Sequence, residues 1–158
     1  MKLFGPDEID AALTFPGLID TLAEAFRGEA VVPPRTHHQI ARPGEEAVLL
    51  IMPAWSAPDS ETPYIGTKIV SVFFGNGTRN LPGVMGAYLL MNGRTGEPLA
   101  VMDGNRLTLW RTAAASALAS RYLSNPEASS MLMVGAGGLA PFLIKAHRAV
   151  RPLTDIAI

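Results

Sequence analysis

The sequence predicts an α/β chain, with an α+β first domain built on an antiparallel sheet and then the opening of a parallel-sheet domain. Three observations predict it. Residues 64–102 fall into short β-branched and aromatic runs separated by turn residues. Residues 111–123 are alanine-rich, with high helix propensity. Residues 130–158 read as strand, glycine-rich turn, helix and strand. Hydrophobic residues make up 48% of the 158 and charged residues 17%, which suits a packed core and argues against disorder.

Taken in order, residues 16–27 carry Leu18, Ile19, Leu22, Ala25 and Phe26 at helical spacing. Pro16 fits the first turn of that helix and Gly28 its stop. Residues 47–52 form an apolar run ended by Pro53, and residues 64–74 a second strand, followed by the turn Gly75-Asn76-Gly77. Residues 83–91 and 98–102 read as strands joined by Asn92-Gly93-Arg94-Thr95-Gly96, whose turn chemistry favours a hairpin. Asn125-Pro126 breaks the helix of residues 111–123. Residues 130–134 form a short strand, a helix follows to about Val150, Arg151-Pro152 turns, and residues 155–158 begin another strand. The expected division is a first domain over residues 1–124, including the linking helix 111–123, and an incomplete second domain over 125–158.

Several function classes fall away. A net charge of −1 offers nothing for nucleic acid or an anionic membrane to grip. No cysteine is present, which excludes disulfides, thiolate metal sites and a cysteine nucleophile. The acidic first ten residues do not form a signal peptide, and no apolar run reaches the roughly 18 residues of a membrane span. A cytoplasmic setting is the expectation.

The segment Val134-Gly135-Ala136-Gly137-Gly138-Leu139-Ala140 matches G-x-G-x-x-A between a strand and a helix. Gly135 permits a tight turn, Gly137 lets backbone approach a pyrophosphate, and Ala140 allows close helix–strand packing. The ligand's charge would meet the orphan N–H groups at the helix start. Dinucleotide binding is the leading reading, and a merely structural turn the alternative. Asp155 lies at about the spacing of the ribose-binding carboxylate, yet it opens the second strand rather than ending it. The deciding residue is expected beyond Ile158, so the cofactor is NAD or NADP.

Three cations stand out. Lys68 is the one charge in residues 64–74 and shares an alternating face with Val70, Val72 and Phe74. It is either a functional cation or an edge-strand lysine snorkelling to water. Arg111 opens the alanine-rich helix, where a cation opposes the macrodipole. Either it grips an anion with its planar fork or it is a solvated surface residue. Arg35 follows Pro33-Pro34 and precedes Thr36-His37-His38. Adjacent histidines on an extended strand face opposite ways and no third ligand is spaced to join them, so no metal site is expected.

Together these segments resemble the ornithine cyclodeaminase/mu-crystallin family. The resemblance rests on Pro33-Pro34-Arg35-Thr36, Met52-Pro53-Ala54-Trp55, Thr67-Lys68-Ile69-Val70 and Gly93-Arg94-Thr95-Gly96-Glu97-Pro98-Leu99-Ala100. Met102-Asp103-Gly104-Asn105 and the block running from Leu107 through Arg111-Thr112 to Ala117 are its strongest parts. It runs from about Val31 to the C-terminus. It implies a substrate-binding and dimerisation domain followed by a Rossmann NAD(P)-binding domain, with Arg35, Lys68 and Arg111 gripping the carboxylate of an amino or imino acid. Arg111, Thr112, Gly135, Ala136, Gly137, Gly138 and Leu139 fall on cofactor-contacting positions. The chain departs from the family where cyclodeaminases carry a Glu, a place that falls here in Leu49-Leu50-Ile51. Leu139 stands for a Gln and Gly83 for a Thr, and the catalytic Asp of cyclodeaminases falls beyond residue 158. The expectation is therefore a truncated sequence whose isolated 158 residues are inactive.

The implied activity is reduction of Δ1-pyrroline-2-carboxylate or a related ketimine by a homodimeric, nicotinamide-dependent enzyme, with Lys68 as its catalytic residue. Ornithine cyclodeaminase and alanine dehydrogenase-like activity are the enzymatic alternatives. A crystallin-like NAD(P)H-binding protein is the non-enzymatic one.

Overall fold

The computed structural model describes all 158 residues, Met1–Ile158. Its contacts divide them into two units, Met1–Ile9 with Gly28–Asn105, and Asp10–Arg27 with Arg106–Ile158.

The first unit is a seven-stranded sheet. Its strands are β1 (Lys2–Phe4), β2 (Ala30–Val31), β3 (Thr36–Arg42), β4 (Glu45–Ser56), β5 (Tyr64–Phe73), β6 (Val84–Asn92) and β7 (Pro98–Asp103). They lie in the order β1-β7-β6-β5-β4-β2, with β3 also paired to β4. Every neighbouring pair is antiparallel except β1 and β7. The expected hairpin between β6 and β7 is present. Asn92 accepts at Oδ1 from the Arg94 and Thr95 amides at 2.8 and 3.2 Å, and its carbonyl accepts from Gly96 N at 2.9 Å. That side-chain turn is the reason for an Asn there.

Pro53 does not end its strand, contrary to the expectation from the sequence. The last pair of β3 with β4 is Thr36 with Ile51, and β2 next pairs Val31 with Trp55. Residues 32–35 therefore pass Met52–Ala54 unpaired on that side. A missing N–H costs no ladder bond at such a gap. Pro33-Pro34, equally unable to donate, fills the opposite side of it. The turn expected at Gly75-Asn76-Gly77 is a longer 3-10 helix, Phe74–Arg79, ended by Asn80 in the left-handed region at φ 55°. Asn76 is buried and donates to Pro82 O at 2.9 Å, while Arg79 forks onto Glu45.

Register assigns the faces. Met52, Lys68, Tyr88 and Met102 are direct partners across β4, β5, β6 and β7, so they point the same way. Val70, two residues on, is buried on that face. The other face carries Ile51, Ile69 and Ala87 in one row and Trp55, Ile65 and Met91 in another. It is apolar yet open, with Trp55 40% and Ile69 39% exposed.

The second unit is helical around a small parallel pair. Helix α1 (Pro6–Ala12) ends in it, and the sequence reading had not found that helix. Helix α2 (Phe15–Ala25) starts one residue earlier and stops two residues earlier than the expected 16–27, with Thr14 as N-cap accepting from Gly17 N at 3.4 Å. Helix α3 (Gly104–Leu123) begins in the first unit and continues here. Strands β8 (Ser130–Leu132) and β9 (Asp155–Ala157) pair in parallel around helix α4 (Ala140–Arg148), the expected β-α-β. Phe15 and Ile19 pack with Ala113, Ala114, Ala117, Leu118 and Ala146. Alanines at the crossing let the helices approach closely, and Ile19 is fully buried.

Two corrections follow. The contacts do not divide the chain after residue 124, because α2 and α3 share their apolar core with α4 and so group with the β-α-β segment. Nor does Arg111 open the linking helix. α3 starts at Gly104, since tertiary contacts extend it backwards. Trp110 stacks on Phe15 with ring centroids 4.3 Å apart, and Arg106 pairs with Asp10.

Candidate functional site

In the first unit the sheet positions two of the expected cations. β5 is flanked by β4 and β6, so Lys68 is not an edge-strand lysine. It sits half-buried on the same face as Val70, between the thioether of Met52 and the phenol of Tyr88. Arg35 is exposed and lies one residue before Thr36, whose partner is Ile51. It belongs to the unpaired stretch that passes Met52–Ala54 between the two ladders of β4. His37 and His38 pair with Leu50 and Leu49 on opposite faces, and no group of His, Asp and Glu is arranged to hold a metal ion.

This face also carries a pair that the sequence reading did not single out. Tyr88 is directly opposite Lys68, and its ring lies over Gly66, where an added Cβ would stand 1.9 Å from the phenol oxygen. Burial pushes the Tyr88 hydroxyl above its usual range. Only the strand register reveals this neighbourhood, because 20 residues separate the two side chains in sequence.

In the second unit Arg111 is exposed and Thr112 half-buried on α3. Arg111 is the eighth residue of the helix, past the first turn in which the macrodipole acts. The dipole argument for it therefore lapses, and its fork remains the basis for reading it as an anion ligand.

The glycine-rich turn has the local geometry of a phosphate cradle. Gly135 adopts φ +101°, a conformation that side-chain-bearing residues rarely adopt. Val134 to Gly138 are exposed, and a Cβ added at Gly135, Gly137 or Gly138 would meet nothing within 4 Å. Leu139 turns inward against the helical core and Ala140 is buried, which anchors the turn from beneath. No side chain caps the first turn of α4, and Pro141 sits within it. These features fit a pyrophosphate received by backbone N–H groups at a helix start. Asp155 opens β9 and pairs with Ser130, which puts it at the opposite end of the strands from the turn.

One further polar cluster organises the second unit. Asp10 accepts from Arg106 Nε at 2.7 Å and from Trp110 Nε1 at 2.8 Å, and Arg106 Nη2 closes the fork. Arg106 also lies over the Phe142 ring, 4.9 Å from its centroid. The Arg106 and Trp110 hydrogen bonds pull the Asp10 carboxyl down to about 2.

Comparison with known proteins accounts for this combination. The model of the ornithine cyclodeaminase/mu-crystallin family matches residues 7–158. The chain is 40% identical over 150 residues to Protein SAR DEFICIENT 4 of Arabidopsis thaliana, covering 89% of this chain and 45% of that protein. It is 34% identical to the Δ1-pyrroline-2-carboxylate reductase of Colwellia psychrerythraea, covering 100% of this chain and 49% of that one. Among solved structures, the Δ1-pyrroline-2-carboxylate reductase of Thermococcus litoralis in complex with NADH and L-proline superposes with a TM-score of 0.84 at 30% identity. That superposition covers 99% of this chain and 48% of that one. The chain spans about half the length of the curated relatives it matches. With the family model matching residues 7–158 and so reaching into both units, the chain belongs to the ornithine cyclodeaminase/mu-crystallin family.

Proposed function

We propose that the full-length protein is an NAD(P)H-dependent reductase of small cyclic imino acids, Δ1-pyrroline-2-carboxylate or a related ketimine. The observation that carries this reading is Lys68, a half-buried cation on an interior strand in a chain similar to Δ1-pyrroline-2-carboxylate reductases. Lys68 leaves the sheet on the same face as Met52 and Tyr88, where its ammonium can form a charge-assisted hydrogen bond to a substrate carboxylate. Lys68 and Arg35 in the first unit and Arg111 in the second are the proposed carboxylate ligands. Gly135, Ala136, Gly137, Gly138 and Leu139, with Arg111 and Thr112, are the proposed cofactor contacts. The bound nicotinamide supplies a hydride to the carbon of the C=N bond. The chain's own residues hold the acid and exclude alternative poses, and Lys68 orients the substrate and helps deliver the proton to nitrogen.

Reduction is favoured over cyclodeamination because the strand that carries a Glu in cyclodeaminases presents Leu49, Leu50 and Ile51 here, paired with Ser71, Val70 and Ile69. The protein is proposed to act as a homodimer through the open apolar face of the sheet, and in the cytoplasm, which suits a chain without cysteine.

The test is to incubate the full-length protein with NADH or NADPH and Δ1-pyrroline-2-carboxylate. Absorbance of the reduced nicotinamide should fall with substrate, and Lys68→Ala should lower kcat/KM by about 10- to 100-fold, the worth of a charged hydrogen bond. Release of ammonia and proline from ornithine with no net change in NADH would replace the reading with cyclodeamination. Tight cofactor binding without turnover of any such acid would replace it with a binding role.

A further inference from the structure

We infer that Tyr88 determines which ring size the substrate face accepts beside Lys68. This rests on the imino-acid reading above and names a residue that sets its specificity.

The geometry comes from two independent observations. Tyr88 and Lys68 are direct partners in the β5–β6 register, so their side chains leave the sheet on one face with Cβ atoms about 5 Å apart. Gly66 lies two residues before Lys68 and shares that face. A Cβ there would come within 1.9 Å of the Tyr88 oxygen and 2.7 Å of Cζ. The phenol therefore lies down along the sheet across Gly66 and does not stand away from it. Any side chain at position 66 would lift it.

The result is a flat aromatic floor with a polar tip, adjoining the lysine proposed to hold the carboxylate. Met52 on the far side of Lys68 and Met102 beyond Tyr88 are flexible thioethers that adapt to what the rigid ring leaves open. The hydroxyl stays protonated through the working range, since burial raises it with no charge or hydrogen bond contributing to the shift. A small cyclic acid suits such a surface. Its carboxylate meets the cation, its ring rests on the phenol, and its edge meets the hydroxyl. An added ring methylene must then displace either the floor or the carboxylate, which is a discrimination of about 10- to 200-fold in apolar pockets generally.

The test compares kcat/KM of the full-length protein for Δ1-pyrroline-2-carboxylate and its six-membered homologue. Tyr88→Ala should shift the ratio toward the larger ring by about tenfold, carried by KM more than by kcat. Tyr88→Phe keeps the floor and loses the tip, and should raise KM for both rings by up to about tenfold without changing the ratio. Gly66→Ala should shift the ratio in the direction of Tyr88→Ala, and Gly66→Ala combined with Tyr88→Ala should match Tyr88→Ala alone, because the clash has gone. An unchanged ratio in Tyr88→Ala, with wild-type KM in Tyr88→Phe, overturns the inference and leaves the reductase reading standing. A wild-type protein that turns over neither ring overturns both.

Discussion

Asp10 shows how much one carboxylate can organise. It ties α1 to α3 through the Arg106 fork and the Trp110 indole, and Trp110 in turn packs on Phe15 and Phe142. Those hydrogen bonds favour its charged form, so its value falls from the ordinary 3.8 to about 2. A group depressed in this way contributes stability in full above the ordinary value and loses it as pH falls toward the folded value. Urea unfolding from pH 5 to pH 2 should show the wild type losing stability more steeply below pH 4 than Asp10→Asn. Parallel profiles would remove the role assigned to this carboxylate. Nothing in the sequence pointed to Asp10, whose partners lie about a hundred positions away. Lys68 was visible, because a lone charge in a β-branched run is anomalous wherever the strand sits. Its alternatives could be weighed only once β5 proved to be an interior strand.

At the scale of elements, α3 illustrates what local propensity leaves open. Its alanine-rich second half was legible, while its first turns contain Gly104, Thr108 and Trp110, which are indifferent helix formers. Packing of Trp110 and pairing of Arg106 hold them in the helix. The other end is held by a residue from beyond α4. Arg151 donates through Nη2 to the carbonyls of Ser120, Arg121 and Ser124 at 2.7, 2.9 and 2.9 Å, and through Nε to Ser124 Oγ at 2.8 Å. A cation at a helix C-terminus satisfies orphan carbonyls and complements the macrodipole. Arg151→Met should destabilise the protein by about 1–3 kcal/mol in chemical denaturation. Arg151→Lys should recover only part of that, since one ammonium in the place of Nη2 loses the Nε bond to Ser124 Oγ and the Nη1 bond to Val150 O. Equal stability of all three proteins would show that water replaces the cap at no cost. Other elements escaped the sequence for a different reason. β3 is exposed along most of its length and reads Thr-His-His-Gln-Ile-Ala-Arg, without the alternation that marks a half-buried strand. β1 is three residues long and owes its existence to its pairing with β7.

On the scale of the whole molecule, the sheet has one face that carries Lys68 and buried Val70, and another on which Trp55, Ile69 and Met85 stand open to solvent. An apolar sheet face of this kind is ordinarily covered. Light scattering of the full-length protein should give the mass of a dimer, and Ile69→Glu, which puts a charge at the centre of that face, should shift it to a monomer. A wild-type monomer would refute the proposed assembly. The sequence by itself determined α2, the strands from β4 to β7, the hairpin at Asn92, the β-α-β with its glycine turn, and the family, since each is written in contiguous residues whose local physics is strong. Tertiary structure alone decided that α2 and α3 share a core with α4, that Pro53 lies within a strand beside a gap, and that Tyr88 reclines over Gly66 next to Lys68. Those outcomes depend on which distant residues come opposite one another, and pairing across strands and helices is set by the collective burial of side chains rather than by any segment alone.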